Sequence, residues 1–212
     1  MQTHILLLRH GQSIANVEKF FAGQTDVPLT DLGKKQAALA AVGLSDLKLD
    51  AIFSSPLSRA IETALPLAIP RNLEVGILPG FIEWGAGKWE GMHFDELKET
   101  FPDEYYDWKN DIAHLTMSGG ESAYAVRERM GKAIEELASQ YKGKTVLVAC
   151  HGGVIKTVPS YFSNCDDDIF RCTHVPGNCS ITEVVFEDGV GRVTRYSDDS
   201  HLGEFKSEAF II

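Results

Sequence analysis

Cysteine is scarce in this 212-residue chain, and its four instances, Cys150, Cys165, Cys172 and Cys179, form no CxxC pair. That pattern excludes the disulfide framework of a small secreted domain and reads as reduced thiols in a cytoplasmic protein. A zinc site of Cys165, Cys172, His174 and Cys179 has suitable residue types, but its ligand intervals are not those of zinc sites. Positive charge is in deficit too, with 20 Lys and Arg against 30 Asp and Glu, a formal net charge of -10. A field of that sign repels nucleic acid and anionic membranes. It also repels phosphorylated metabolites, so any anion pocket must be local and built from a few cations. No apolar run is long enough to cross a bilayer, and Met1-Gln2-Thr3-His4 lacks the basic region of a signal peptide. Repeats, low-complexity tracts and linkers are absent. With 44% hydrophobic and 24% charged residues, the chain is expected to fold as a single domain over 1–212.

What is present begins with Ile5-Leu6-Leu7-Leu8, an apolar run that ends at Arg9-His10-Gly11-Gln12-Ser13. The run is too short for a helix and reads as a strand buried on both faces, which places the polar cluster at a strand's carboxyl end. In open α/β sheets ligands bind along that edge. Ser13 is positioned as the N-cap of a short helix to about Phe20, with Asn16 one turn inside it, and Arg9 beside a helix start would draw an anion toward His10. A strand-end histidine is also an ordinary loop residue, and the arginine beside it an ordinary ion pair. A glycine-rich turn after the first strand, which a nucleotide-binding oxidoreductase needs, is missing.

Further along, Ala51–Phe53, Glu74–Leu78 and Lys144–Ala149 read as strands. Helices are expected from Thr30, as N-cap, to about Val42, from Pro56 to about Ala68, up to about Tyr141, and from Val154 to about Phe162. Cys179–Phe186 and Gly191–Tyr196 read as edge strands joined through Asp188-Gly189, and a loosely attached tail follows from about Asp198. The segment 93–111, crowded with Asp95, Glu96, Glu99, Asp103, Glu104, Asp107 and Asp111, reads as short helices forming a solvated face or a mobile lid within an insertion over 84–117. Asp166-Asp167-Asp168 hints at a hard cation, but three consecutive carboxylates in one turn do not converge. The βαβα alternation implies an α/β fold: a three-layer α/β/α sandwich with a mainly parallel, mixed central sheet. Arg9-His10, Ser54 to Arg59, Glu83 and His151 then meet at one sheet edge.

Five segments in order carry a resemblance. They are Leu8-Arg9-His10-Gly11-Gln12-Ser13; Phe21-Ala22-Gly23-Gln24-Thr25-Asp26 with Pro28-Leu29-Thr30; Ser54-Ser55-Pro56-Leu57-Ser58-Arg59-Ala60; Glu83-Trp84 to Trp89-Glu90-Gly91; and Cys150-His151-Gly152-Gly153-Val154. Together they resemble the histidine phosphatase superfamily, its phosphoglycerate-mutase-like branch, from about residue 3 to about residue 185. The resemblance implies that fold, no cofactor, no metal, and a small phosphomonoester as partner. It makes His10 the nucleophile that becomes phosphorylated, rather than His151. Arg9, Arg59, Asn16, His151 and the backbone near Gly152 would hold the phosphate; His151, if protonated, would be a third cation, and since His10 can attack only as the neutral ring, the two should differ in protonation. Glu83 would be general acid and then base, unless it forms an ion pair with Arg9 or Arg59. Gln12 stands where Glu is also common in the family.

Among the branch's activities, hydrolysis is favoured over isomerisation. The mutases carry a longer insert with an arginine pair, whereas Trp84 to Met117 holds only Lys88, Lys98 and Lys109 as cations. The segment is similar to that of the smaller metal-independent, acid-type phosphatases, such as α-ribazole phosphatase, fructose-2,6-bisphosphatase and broad-specificity phosphatases. The alternatives are a cofactor-dependent phosphoglycerate mutase or a non-catalytic binding module; a silent module typically loses the His or an Arg, and all are present. Gln24, Thr25 and Trp84 would shape the leaving-group pocket, together with Phe20, Phe21 and Trp89. The acidic lid hints at a substrate with little negative charge beyond one phosphate, and Cys179–Phe186 as an edge strand would allow a homodimer.

Overall fold

The computed structural model describes residues 1–207. A six-stranded sheet in the order β3-β2-β4-β1-β5-β6 forms the middle layer. Its strands are β1 (Thr3–Arg9), β2 (Ala51–Ser54), β3 (Val75–Ile77), β4 (Thr145–Cys150), β5 (Ile181–Glu187) and β6 (Val190–Asp198). The first four run parallel to one another, whereas β5 and β6 are antiparallel additions. The apolar run at the start of the chain explains the layering. Successive strand side chains point to opposite faces. Ile5 and Leu7 therefore join one buried cluster with α6 (Ala123–Gln140) and α7 (Gly152–Tyr161), while Leu6 and Leu8 join another with α2 (Asp31–Gly43) and α3 (Ser58–Ala68). Helices thus cover both faces, in the expected three-layer α/β/α arrangement.

The helix starts follow capping chemistry. The Thr30 hydroxyl accepts from Gly33 N at 3.0 Å, and the Ser122 hydroxyl from Ala125 N at 3.2 Å. Asp188 and Gly189, both at positive φ, form the tight connection between β5 and β6.

Some expectations need correction. β5 is not an edge strand, because it pairs with β1 on one side and β6 on the other, so it offers no free edge to a second copy. Pro56 precedes α3 instead of opening it, since the helix starts at Ser58 with Leu57 as cap. Beyond Asp198 the chain does not hang loose as far as it is described. Leu202 is buried, and the Gln36 amide donates to Phe205 O at 2.8 Å, tying the segment to α2; residues 208–212 lie outside the described part. The acidic segment is folded as α4 (Phe94–Thr100) and α5 (Pro102–Asn110), with Leu97 and Trp108 buried. Glu104 accepts from Trp89 Nε1 at 2.8 Å and from Ser118 N at 3.0 Å, which ties α5 to both ends of the insertion.

One close approach fixes the loop after β1. A Cβ on Gly33 would lie 2.1 Å from Gln12 O, and one on Gly11 would lie 2.4 Å from Gly33 O. The 10–12 loop rests on the first turn of α2, with no room between for a methyl group. Gly33→Ala is expected to cost about 1–3 kcal/mol through overpacking against backbone that cannot swing aside. A thermal melt unchanged from the parent would contradict this packing.

Candidate active site

β1 and β4 are parallel neighbours in register, with Arg9 opposite Cys150, so the residues that follow them emerge level. Those residues are His10 and His151, whose ring centroids are 5.2 Å apart. His10 Nδ1 lies 2.7 Å from Gly11 O, an acceptor, which assigns the proton to Nδ1 and leaves Nε2 as a bare lone pair. The backbone around it is tied down: His10 N donates to Cys150 O at 2.9 Å, and Asn178 Nδ2 donates to His10 O at 3.1 Å.

His151 Nε2 lies 2.7 Å from the Ser55 hydroxyl, and its Nδ1 is buried without a partner. Burial pushes both imidazoles well below the ordinary histidine range, with the Arg59 and Arg9 charges adding to the effect. Burial beside two arginines therefore favours the neutral form of both rings, which runs against His151 as a third cation. His151 is also fully buried and does not line the cavity; it stands against His10 from behind.

Two arginines flank this pair. Arg9 donates through Nη1 to Pro176 O, while its Nε is buried without a partner. Burial pushes its guanidinium down to about 10, against the opposing pull of Glu83, so it stays cationic at neutral pH. Arg59, 2% exposed, donates from Nη1 to Thr25 O at 2.9 Å and from Nη2 to Gly23 O at 2.8 Å. Asn16 Oδ1 accepts from Ser13 N, the Ser13 hydroxyl and Asn178 Nδ2, an arrangement that identifies the oxygen and leaves Nδ2 as the free donor.

Glu83 reaches the same space from the loop after β3. It makes no ion pair with Arg9 or Arg59; its carboxylate caps the first turn of α7, accepting from Trp84 N at 2.8 Å and from Gly153 N and Val154 N at 3.1 Å each. This arrangement demands the two glycines after His151. A Cβ on Gly152 would sit 3.0 Å from Arg9 Nε, and one on Gly153 would sit 2.8 Å from Glu83 Oε1.

These groups line a cavity of about 150 Å³, below the roughly 300 Å³ at which drug-sized pockets begin, so it suits a small metabolite. Its polar lining includes Arg9, His10, Ser13, Asn16, Arg59, Glu83 and Lys156. Trp84 lines it, whereas Gln24 and Thr25 do not. Gln24 instead donates to Glu83 O at 3.0 Å, and the Thr25 hydroxyl donates to Glu90 at 2.5 Å, so both brace the loop that carries them. From the acidic segment only Phe94 and Trp108, and beyond it Ile112 and Met117, reach the cavity, while Asp95, Glu96, Glu99 and Asp103 are exposed. Among the described residues no three His, Cys, Asp or Glu side chains converge as a metal site, and no helix is long and apolar enough to cross a membrane.

Residues 5–199 match the family model of the histidine phosphatase superfamily (branch 1). The chain belongs to that superfamily. It is 34% identical to phosphoserine phosphatase 1 of Hydrogenobacter thermophilus, covering 97% of each chain. It is 31% identical to the metal-independent phosphoserine phosphatase of Arabidopsis thaliana, covering 94% of this chain and 83% of that one. Among solved structures it superposes on YhfR of Bacillus stearothermophilus with a TM-score of 0.89 at 28% identity, over 94% of this chain and 99% of that one. A phosphoserine phosphatase of Entamoeba histolytica, solved with phosphoserine bound, superposes with a TM-score of 0.85 at 29% identity and the same coverage.

Ser55, Asn178 and Lys156 were given no role by the sequence. Asn178 sits in Pro176-Gly177-Asn178, a turn cluster just before β5 that marks where the chain doubles back beside His10. Lys156, 4% exposed, lines the cavity one turn beyond Gly152 and donates to Thr173 O. Burial pushes its ammonium down to about 8, so it remains cationic at pH 7.

The two neutral imidazoles of this histidine phosphatase predict a pH dependence of stability. In the unfolded chain each titrates near about 6.5, so below that pH the unfolded state binds more protons, and stability falls as pH drops toward the folded-state values, by up to roughly 1.4 kcal/mol per pH unit per ring. Melting temperature should fall from pH 7 to pH 5, and His151→Gln should make the decline shallower. Parallel profiles for parent and variant would contradict the neutral assignment of His151.

Proposed function

We propose that this protein is a metal-independent phosphomonoester hydrolase acting on a small phosphorylated metabolite through a phosphohistidine at His10. The observation that carries the reading is His10 itself: its Nδ1 lies against Gly11 O, which leaves Nε2 as the lone pair, and the residue lines a cavity with Arg9, Arg59 and Lys156 as cations and Glu83 as the one carboxylate. In the first step the Nε2 lone pair attacks phosphorus as the P–O bond to the leaving alcohol breaks, and Glu83, acting as general acid, gives the alkoxide its proton. In the second, Glu83 takes a proton from water, whose oxygen attacks phosphorus while the N–P bond breaks, returning neutral His10 and inorganic phosphate. Arg9 Nε, the remaining Arg59 donors and Asn16 Nδ2 would stabilise charge on the equatorial oxygens.

Hydrolysis is preferred to isomerisation because none of Lys88, Lys98 and Lys109 lines the cavity. The acidic segment does not argue against a second substrate charge, since none of its carboxylates lines the cavity. Lys156, whose ammonium donates to Thr173 O and has no carboxylate partner among the described residues, would match a leaving group bearing its own carboxylate, as phosphoserine does. A compartment that keeps the four thiols reduced, such as the cytoplasm, suits this reading. The test is phosphate release in the presence of EDTA from p-nitrophenyl phosphate, phosphoserine, 3-phosphoglycerate and phosphoethanol, alongside a mutase assay. Release without metal, highest for the two carboxylated esters, is expected; isomerisation of 3-phosphoglycerate with little release would replace hydrolase by mutase.

A further inference from the structure

Glu83 is held from two sides, and only one of them belongs to the site described above. Its carboxylate rests on the α7 amides, but its backbone lies in a loop with no helix or strand of its own between Leu78 and Gly85, apart from a single turn at Pro79–Phe81. Loop backbone of that kind needs outside partners for its carbonyls. Arg129, on α6, supplies them: Nη1 donates to Gly80 O and Ile82 O, both at 2.9 Å, and Nη2 to Glu83 O at 3.4 Å. The guanidinium is itself aimed by Glu121, which accepts from Nε at 2.9 Å and from Nη2 at 2.8 Å, a two-point pairing that a lysine cannot reproduce.

Glu121 also binds the loop directly. Its carboxylate accepts from Gly85 N at 2.8 Å, its carbonyl accepts from Trp84 Nε1 at 2.9 Å, and its own N–H donates to Gly85 O at 2.9 Å. The approach is close enough that a Cβ on Gly120 would lie 2.2 Å from Gly85 O, which accounts for the glycine before Glu121. One Arg–Glu pair therefore fastens residues 80, 82, 83, 84 and 85, although neither member lines the cavity.

We propose that Arg129, aimed by Glu121, is a positioning residue that holds Glu83 at the proton-transfer distance from the leaving oxygen. The inference rests on Glu83 being the proton carrier. A displacement of the loop would leave most of the phosphate cradle in place: Arg9 is fastened to Pro176 and Asn16 to Ser13 and Asn178, and Arg59 meets the loop only indirectly, through Gln24, whose amide donates to Glu83 O at 3.0 Å. The loss should therefore appear only where the leaving group needs a proton.

The test uses kcat/KM, which reports the phosphoryl-transfer step, on phosphoethanol and on 2,4-dinitrophenyl phosphate. Glu83→Gln is the reference variant. Arg129→Met is expected to lower kcat/KM on phosphoethanol about 10- to 100-fold and on the dinitrophenyl ester less than about 2-fold, within the range that general acid catalysis supplies. Arg129→Lys should recover part of the loss. In a Glu83→Gln background Arg129→Met should add nothing, because a misplaced acid and an absent one are equivalent on this ester. If Arg129→Met does not fold, Glu121→Gln, which keeps the shape and removes the charge, carries the same expectation. Equal losses on both esters, with Glu83→Gln still selective, would overturn the positioning role. An unselective Glu83→Gln would overturn the proton-carrier reading, and the inference with it.

Discussion

Replacing His10 with alanine is expected to lower phosphomonoester hydrolysis by at least about 10⁴-fold, the scale seen when a covalent nucleophile is removed, while the fold and phosphate binding survive. The argument for survival is local. The imidazole's one hydrogen bond is to the carbonyl next door, Gly11 O, whereas the backbone of residue 10 is anchored independently through Cys150 O, Cys179 N and the Asn178 amide. None of those anchors needs a side chain at position 10. Arg9 and Arg59 also keep their charges and their bonds to Pro176, Thr25 and Gly23, so the cradle for a phosphate remains. The measurement is acid-labile, base-stable label on the protein after quenching a reaction with a ³²P-labelled ester: present in the parent, absent in His10→Ala, with inorganic phosphate inhibiting or binding both similarly. Label retained by the variant would move the nucleophile elsewhere, with His151, 5.2 Å away ring to ring, the first place to look.

The sequence made this site legible because its parts lie at strand ends. Ile5 to Leu8 can only be a strand buried on both faces, and the next residues must then emerge at its carboxyl end. The run ending at Ala149 does the same for His151. Parallel pairing of the two strands in register then brings the two histidines together without any loop having to be guessed. Arg59 was readable by the same logic, as a cation placed in the first turn of a helix where the macrodipole disfavours it.

What stayed hidden depends on contacts distant in sequence. Nothing in Cys179–Phe186 says that its side away from β6 will pair with β1, so an internal strand reads as an edge. The acidic run of 93–111 hides Leu97, Glu104 and Trp108, whose anchoring partners lie in other segments. The protonation of His151 is set by burial beside two arginines, a sum over three strand ends that no local pattern contains. Gln24 and Thr25 were placed near the right loop but given the wrong partner, because the Glu90 carboxylate that holds Thr25 lies 65 residues away. Arg129 has the same cause: it looks like an ordinary helix-surface residue until the loop carrying Glu83 is folded back onto it.

Arg59→Met is expected to cost about 10³-fold or more in kcat/KM, because the side chain has two tasks and the substitution ends both. A guanidinium has five N–H donors in a fixed fork. Two bonds, to Gly23 O and Thr25 O, hold the 22–26 loop against the start of α3, where Asp26 in turn accepts from Ser58 N and its hydroxyl at 2.8 Å each. The remaining donors face a cavity that holds no carboxylate except Glu83, and they are what a phosphoryl group would meet. Arg59→Lys separates the tasks: it keeps a cation for the phosphate but cannot span two carbonyls and an anion at once. The lysine variant should therefore retain part of its affinity for inorganic phosphate while losing most of its turnover, whereas the methionine variant loses both. Equal turnover in the arginine and lysine forms would mean that charge alone is used, and that the clamp on the 22–26 loop is irrelevant to the reaction.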